Sequence, residues 1–194
     1  MNKKKVLETV AWSLAGVMLT AGLVYYNFID KPVVSGVEIG DACPNFTMQE
    51  YSAETGEFAL SDKEFTLSDY RGKIVVVNFW ATWCTSCIAE LPDFNKYQED
   101  YADDVVVLAV NFESYETAEF VSDWMNENQP TWTEYALIFG RYEKDNNLYS
   151  KLGFTSGALP GTMIINREGI IVYREDGSMH YEDLQEIIAP LIKY

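Results

Sequence analysis

Two β-branched apolar runs lie in the middle of this chain. Residues 73–79 (KIVVVNF) and 104–111 (DVVVLAVN) are apolar at nearly every position, a pattern typical of strands that are buried on both faces of a sheet. Shorter apolar stretches around turn residues such as Gly56 and Gly169 predict hairpins. The shorter predicted strands form a hairpin within 45–60, a single strand over 135–139 and a final hairpin from 162–166 and 170–173.

Apolar residues with helical spacing separate these strands. In the stretch that follows the second run, Phe120, Val121 and Trp124 fall on one helical face. Strands that alternate with helices, followed by a hairpin and a last helix, predict an α/β domain of three layers with a central mixed sheet. The predicted helices cover 88–101 (bent at Pro92), 117–127, 143–152 and 181–192.

The N-terminus has the pattern of a membrane anchor. Residues 10–29 are almost free of charge, and about 20 apolar residues cross a bilayer as a helix. The run is too long for a signal-peptide core and no A-x-A-like cleavage site follows it, so an uncleaved anchor is favoured over a cleaved peptide. Lysines 3–5 should stay inside. We therefore expect 1–31 to be a cytoplasmic basic start and a transmembrane signal-anchor. The domain over 32–194 should then lie outside the cytoplasm, on a cell-membrane protein with a single span.

The globular part is strongly acidic. From Pro32 onward it has 28 acidic and 10 basic residues, a net charge of −18. Such a domain repels phosphate backbones, which excludes nucleic acid as a partner. It is also repelled by anionic lipid headgroups, so any membrane contact has to come from the inserted helix.

The candidate chemistry lies in two cysteines three residues apart. Cys84 and Cys87 directly follow the first buried run and open a predicted helix. The unpaired N–H groups of a helix N-terminus favour thiolate over thiol. We therefore expect Cys84 to attack substrate disulfides and Cys87, one turn further on, to resolve the mixed disulfide. A structural zinc site normally uses four ligands; three cysteines and one histidine disfavour it, and nothing in the sequence indicates a cofactor.

The segment around the cysteines resembles a known active site. Residues 77–87 (VNFWATWCTSC) are similar to the active-site segment of the thioredoxin superfamily, in particular to its extracytoplasmic TlpA/ResA-like branch. The similarity continues at 40–46 (GDACPNF), 67–73 (LSDYRGK), 90–92 (ELP) and 159–162 (LPGT). The resemblance covers the chain from about residue 37 onward and implies a thioredoxin-like fold and a thiol–disulfide oxidoreductase that acts on protein disulfides.

The resemblance also implies roles for individual residues. Pro160 matches the cis-proline that faces the cysteine pair, and the backbone of Leu159 would then pair with a substrate strand. Trp83, next to Cys84, is expected on the same substrate-binding side. Glu90 matches an acidic residue that tunes the cysteines and takes part in catalysis, although a solvated surface glutamate is the alternative. Asn78 stands where many cytoplasmic thioredoxins have a buried aspartate.

Three features leave questions open. Thr85 and Ser86 lack the proline common between such cysteines, so no redox potential can be carried over. We interpret Cys43 as core packing rather than as a third redox thiol. The single His180 is interpreted as a loop or capping residue.

The function implied is the reduction of extracytoplasmic disulfides. Examples are cytochrome c maturation and the repair of oxidised proteins, with electrons from a membrane donor of the CcdA type. The alternatives are a disulfide-forming oxidase, a peroxiredoxin-like peroxidase and a redox-inert binding module.

Overall fold

The computed structural model describes residues 35–111, 113, 115–142 and 147–193. The predicted signal-anchor over 1–31 lies outside these residues. Within the part of the chain that is described, no helix has the length and apolar character needed to cross a bilayer.

A seven-stranded mixed sheet forms the centre of the domain. Its strand order is β2-β1-β5-β4-β3-β6-β7. The pairs β3–β4 and β4–β5 are parallel, whereas β1–β2, β1–β5, β3–β6 and β6–β7 are antiparallel. The strands are β1 (Thr47–Ser52), β2 (Ala59–Thr66), β3 (Ile74–Trp80), β4 (Val105–Asn111), β5 (Ile138–Arg141), β6 (Gly161–Ile165) and β7 (Ile171–Asp176).

Four α-helices cover the sheet on two sides. They are α1 (Thr85–Asp100), α2 (Ala118–Asn128), α3 (Leu148–Lys151) and α4 (Tyr181–Ile192). Residues of α1, α2 and α4 belong to one cluster of buried apolar side chains, and residues of α3 belong to a second cluster. Every residue of β3 and β4 is buried, because both faces of these strands are covered. The predicted α/β architecture with a mixed central sheet is confirmed.

Most predicted elements are found, with differences at their ends. Both hairpins and the two buried strands are present, but the second strand of the first hairpin, Ala59–Thr66, lies mostly beyond the predicted range of 45–60. The last helix covers the predicted residues. The predicted strand at 135–139 begins only at Ile138. The reason is that a 3-10 helix over Pro130–Glu134 precedes it, and the N–H of Tyr135 closes this helix by donating a hydrogen bond to the carbonyl oxygen of Trp132. In the described part of 143–152, the helix covers only Leu148–Lys151.

The apolar face of α2 differs from the predicted one. Val121 and Met125 are fully buried, Trp124 is half-buried and Phe120 is 50% exposed. Residues four apart share a helical face, whereas neighbours in sequence point about 100° apart. Phe120 therefore lies outside the stripe defined by Val121 and Met125, and its ring faces solvent.

Candidate active site

The buried strand β3 delivers the chain to the site. Its last residue, Trp80, is fully buried, with its ring 5.7 Å from that of Trp132 and 6.0 Å from that of Phe139. Four residues further, Cys84 is the N-cap of α1. Aromatic packing thus holds the start of the strand-to-helix connection in place, and the connection positions Cys84 at the N-terminus of α1. The helix begins three residues before its predicted start because the side chain of Cys84 caps it.

The two cysteines form a disulfide across the first turn of α1. Their Cα atoms are 5.3 Å apart, and the N–H of Cys87 lies 3.2 Å from the Sγ of Cys84. Cys84 is 4% exposed and Cys87 is fully buried. After reduction, the Sγ of Cys84 lies at the helix N-terminus, where backbone N–H groups stabilise a thiolate. Cys84 is thus the one cysteine of the pair that keeps any exposed surface, and Cys87 is completely covered.

Strand β6 brings the predicted substrate-binding residues beside the cysteines. Phe79 pairs with Gly161, so Pro160 comes next to the end of β3. The Leu159–Pro160 peptide bond is cis, as predicted. Leu159 packs against the apolar cluster that contains both cysteines. Among the described residues, neither the N–H nor the C=O of Leu159 has a backbone hydrogen-bond partner.

Glu90 is buried next to Cys87. It lies one helical turn beyond that cysteine and has no exposed surface. Its carboxylate accepts hydrogen bonds from the Asn78 side-chain amide (2.8 Å) and the Met179 backbone N–H (2.9 Å). Burial raises the pKa of Glu90 from 4.5 to about 7, although these hydrogen bonds oppose the rise. The alternative of a solvated surface glutamate is wrong, and a carboxyl group with this pKa exchanges its proton near neutral pH.

Asn78 connects Glu90 to strand β6. Its amide nitrogen also lies 3.2 Å from the Thr162 hydroxyl, and among the described residues its buried Oδ1 has no hydrogen-bond partner. This orientation of the amide suits an ionised Glu90, which accepts only. A protonated Glu90 donates, so it would favour the opposite orientation, with Oδ1 towards the acid.

An ion pair next to Glu90 was not predicted. His180 is the N-cap residue of α4, as interpreted from the sequence, but its Nδ1 also lies 2.9 Å from the Asp93 carboxylate. Asp93 follows Glu90 by three residues on α1, and His180 follows Met179, whose N–H binds Glu90. Asp93 raises the pKa of His180. The pair therefore joins the two segments that enclose Glu90.

A buried polar network was also not predicted from the sequence; it lies beneath residues 81–83, which connect β3 to Cys84. Glu116 is 2% exposed and accepts hydrogen bonds from the N–H of Thr82 (3.0 Å), from the Thr82 hydroxyl and from the Asn111 amide (2.6 Å). The Oδ1 of Asn111 in turn accepts from Arg141 at 2.7 Å. Asn111 and Arg141 are the last residues of the neighbouring parallel strands β4 and β5. Polar residues at the carboxyl ends of parallel strands often mark a functional site, and this pattern in the sequence could have predicted the network.

A groove of aromatic side chains opens beside Cys84. Trp83, Tyr115 and Phe120 line it together with Thr82 and Glu116, and its volume is about 200 Å³. Trp83 is 53% exposed, and its role in substrate binding stays a prediction. Tyr115 and Phe120 were not predicted at the site. We call this feature the aromatic groove.

Cys43 is separate from the active pair. It is buried in the apolar cluster on the other side of the sheet, with its Sγ 3.9 Å from the Sδ of Met163. Burial raises the pKa of Cys43 to about 12. A thiol that does not ionise is a poor nucleophile, which supports core packing rather than a third redox thiol.

Comparison with known proteins agrees with this geometry. The model of the AhpC/TSA family matches residues 39–174. The chain is 30% identical over 179 residues to the thioredoxin-like protein YneN of Bacillus subtilis, covering 89% of this chain and 94% of the relative. It is 29% identical over 188 residues to the thiol-disulfide oxidoreductase ResA of Geobacillus thermodenitrificans, covering 94% and 95%. Among solved structures, the exposed lipoprotein thioredoxin Etrx1 of Streptococcus pneumoniae matches with a TM-score of 0.61 and 25% identity, covering 76% of this chain and 100% of the other. The chain therefore belongs to the AhpC/TSA family and is a thiol–disulfide oxidoreductase with a thioredoxin-like fold.

Proposed function

We propose that this protein is a membrane-anchored reductant of extracytoplasmic protein disulfides. The observation that carries the proposal is the Cys84–Cys87 pair at the first turn of α1, in which Cys84 keeps a small exposed fraction and Cys87 is fully buried one helical turn from the carboxyl group of Glu90. The substrates belong to the class served in cytochrome c maturation or in repair of oxidised proteins. The names of the ResA relatives support disulfide chemistry of this kind.

The reaction moves two electrons from the dithiol to a substrate disulfide. The Cys84 thiolate attacks one substrate sulfur, forms a mixed disulfide and releases the other sulfur as a thiolate. Cys87 then loses its proton and attacks the Sγ of Cys84. This step releases the second substrate sulfur and forms the Cys84–Cys87 disulfide seen in the structure. A membrane donor of the CcdA type returns two electrons to complete the cycle.

Glu90 has the position and the pKa of the base for Cys87. The buried thiol has to lose its proton during the resolving step, and a carboxylate one turn away on the same helix face is near enough to accept it directly or through a water. Its negative charge also opposes a thiolate at the pair. Raised thiol pKa values destabilise the thiolate form of the reduced protein, so the pair gives up its electrons more readily.

Substrate binding uses the surface on both sides of Cys84. The backbone of Leu159, which has no backbone partner among the described residues, is free to pair with an extended substrate segment. Pro160 and the exposed ring of Trp83 complete this surface. Reduction is favoured over disulfide formation because Thr85 and Ser86 provide no histidine to stabilise the reduced form, a device of strong oxidants.

The anchor is the run at residues 10–29, preceded by lysines 3–5. The description of Etrx1 as an exposed lipoprotein supports a position outside the cytoplasm for a domain of this kind. A tether also keeps the domain near the donor that supplies its electrons.

The reduction potential of the Cys84–Cys87 disulfide tests the direction of electron flow. We expect a value near or below about −230 mV, in the range of reductants such as thioredoxin and glutaredoxin. A reduction potential of about −120 mV, the value for the oxidant DsbA, would instead favour a disulfide-forming oxidase. Rapid peroxide consumption by Cys84 without any substrate disulfide would favour the peroxidase.

A further inference from the structure

The aromatic groove concentrates the exposed apolar surface of the domain. The exposed large apolar residues in the described part are Ile39, Trp83, Tyr115 and Phe120, and three of these four line this groove. An exposed apolar cluster beside a reactive sulfur indicates a contact surface for the substrate rather than chance exposure.

The rim of the groove is acidic. Glu119 and Asp123 are exposed on α2, and Asp123 lies one turn from Phe120. Tyr115 interacts through its hydroxyl with the Glu113 carboxylate and with the Trp83 indole. From residue 97 to residue 140 the sequence contains ten acidic residues and no lysine or arginine.

The carboxylate inside the groove differs from those on the rim. The Glu116 carboxylate accepts hydrogen bonds from Thr82 and Asn111, and the Asn111 side chain in turn accepts one from Arg141. Within the part of the chain that the structure describes, no basic group affects the pKa of Glu113. Burial, assisted by the charge of Glu116, raises the pKa of Glu113. A positive charge next to Glu113 would relieve this repulsion.

These groups together have the chemistry that binds a cationic side chain. Aromatic faces attract guanidinium and ammonium groups, and the aliphatic stems of arginine and lysine pack on apolar surface. Carboxylates around the aromatic rings bind the charged end. Phosphorylated or acidic segments would be repelled, and so would a second copy of this acidic chain.

We propose that the aromatic groove selects protein substrates that carry arginine or lysine within a few residues of the disulfide. The inference rests on the proposed function, because it assigns the substrate class of the same site. Trp83 precedes Cys84 directly, and an extended residue spans about 3.3 Å. A basic side chain close in sequence to the attacked cysteine therefore reaches the groove while the sulfurs react.

Matched peptides test the selectivity. Three peptides with one internal disulfide each, identical except for Arg, Gln or Glu beside one cysteine, are reduced by the wild-type protein, while dithiothreitol returns two electrons to the Cys84–Cys87 pair after each turnover and its uncatalysed rate is subtracted. We expect kcat/KM for the Arg peptide to exceed that for the Glu peptide by about tenfold at low salt, and the ratio to shrink at about 0.3 M salt because the rim charges are exposed and screened. Equal rates for the three peptides, or a preference for Glu, would overturn the inference.

Variants locate the selectivity. The double variant Glu119→Gln/Asp123→Asn should reduce the Arg-to-Glu ratio at least threefold. The matched control Asp103→Asn/Glu168→Gln removes two exposed charges from the connections that precede β4 and follow β6, at the end of the sheet opposite Cys84, and should retain the wild-type ratio. Equal effects of both double variants would show general attraction by an acidic protein rather than recognition in the groove.

A small neutral disulfide separates this inference from the proposed function. Bis(2-hydroxyethyl) disulfide has no flanking residues, so its reduction by the wild-type protein reports the dithiol chemistry alone. No reduction would contradict the proposed function. Reduction together with equal peptide rates would contradict only the assignment of a cationic substrate.

Discussion

Replacing Glu90 by glutamine removes a buried charge while nearly conserving the volume of the side chain. In the wild-type protein the pKa of Glu90 rises from 4.5 to about 7 because the carboxyl group is buried. The unfolded chain therefore loses this proton near pH 4.5, whereas the folded chain holds it until about pH 7. Ionisation thus opposes folding, and the wild-type protein loses stability as the pH rises through this window.

The size of the effect follows from the shift. A rise from 4.5 to about 7 corresponds to about 3 kcal/mol of unfolding free energy, at about 1.4 kcal/mol per pKa unit. Glutamine cannot ionise, so this loss is absent in the variant. Glutamine, like the protonated acid, has one acceptor oxygen for the Met179 N–H and one donor for a reoriented Asn78 amide. The variant therefore resembles the protonated wild-type protein at every pH.

Urea unfolding of the oxidised protein between pH 5 and pH 8 measures the difference. We expect Glu90→Gln to be close to wild type in stability at pH 5, where Glu90 is largely protonated, and more stable than wild type at pH 8, where Glu90 is ionised. The exposed Glu127→Gln is the matched control and should run parallel to wild type. The pKa of His180 is raised mainly by Asp93 and also by the charge of Glu90, so the comparison is repeated with His180→Asn in both backgrounds to separate the two effects.

Titration of the reduced protein completes the test. With the carboxylate gone, a second negative charge nearby costs less, so the pKa values of the cysteine pair should fall. Because the two thiols are coupled, the values belong to the pair. Turnover should slow where proton loss from Cys87 limits the rate. Parallel stability curves and superimposable thiolate absorbance in wild type and Glu90→Gln would refute the role of Glu90.

The remaining predictions concern the cysteines, the anchor and the buried network. Cys87→Ser should accumulate mixed disulfides through Cys84 on non-reducing gels, because attack persists without resolution, and Cys84→Ser should neither turn over nor trap; retained reductase activity in Cys84→Ser would show another nucleophile. Protease added to intact cells should digest the domain while the full-length chain stays with membranes, and a soluble protein that starts near Lys31 would contradict the anchor. Glu116→Gln should lower the unfolding free energy by about 1–3 kcal/mol, because the amide oxygen can keep both Thr82 donors but the Asn111 amide then faces an NH2 group and loses its acceptor. Glu134→Gln, which is exposed, is the control in urea unfolding, and equal stability of the two variants would contradict this.

The sequence was most informative where the pattern is local. The runs that became β3 and β4 are apolar at consecutive positions, and burial on both faces follows from that alone. The cysteine pair and the cis bond before Pro160 were predicted from contiguous motifs.

Contacts between distant segments were not predictable in the same way. His180 and Asp93 are 87 residues apart, and Thr82 and Glu116 are 34 apart. No local pattern encodes such pairs. Phe120 shows a different cause: an apolar residue on a helix indicates burial in general, but the groove leaves this ring in solvent.

The central sheet also separates Cys43 from the Cys84–Cys87 pair. Cys43 and the Cys84–Cys87 pair lie in apolar clusters on opposite faces of the sheet. With a pKa of about 12, only about one in ten thousand molecules carries a Cys43 thiolate at pH 8. An oxidoreductase that meets many disulfides thereby avoids scrambling its own bonds despite an odd number of cysteines. The same separation makes native alkylation of the reduced chain a selective reporter of the active-site thiols, with the wild-type residue at position 43 left in place.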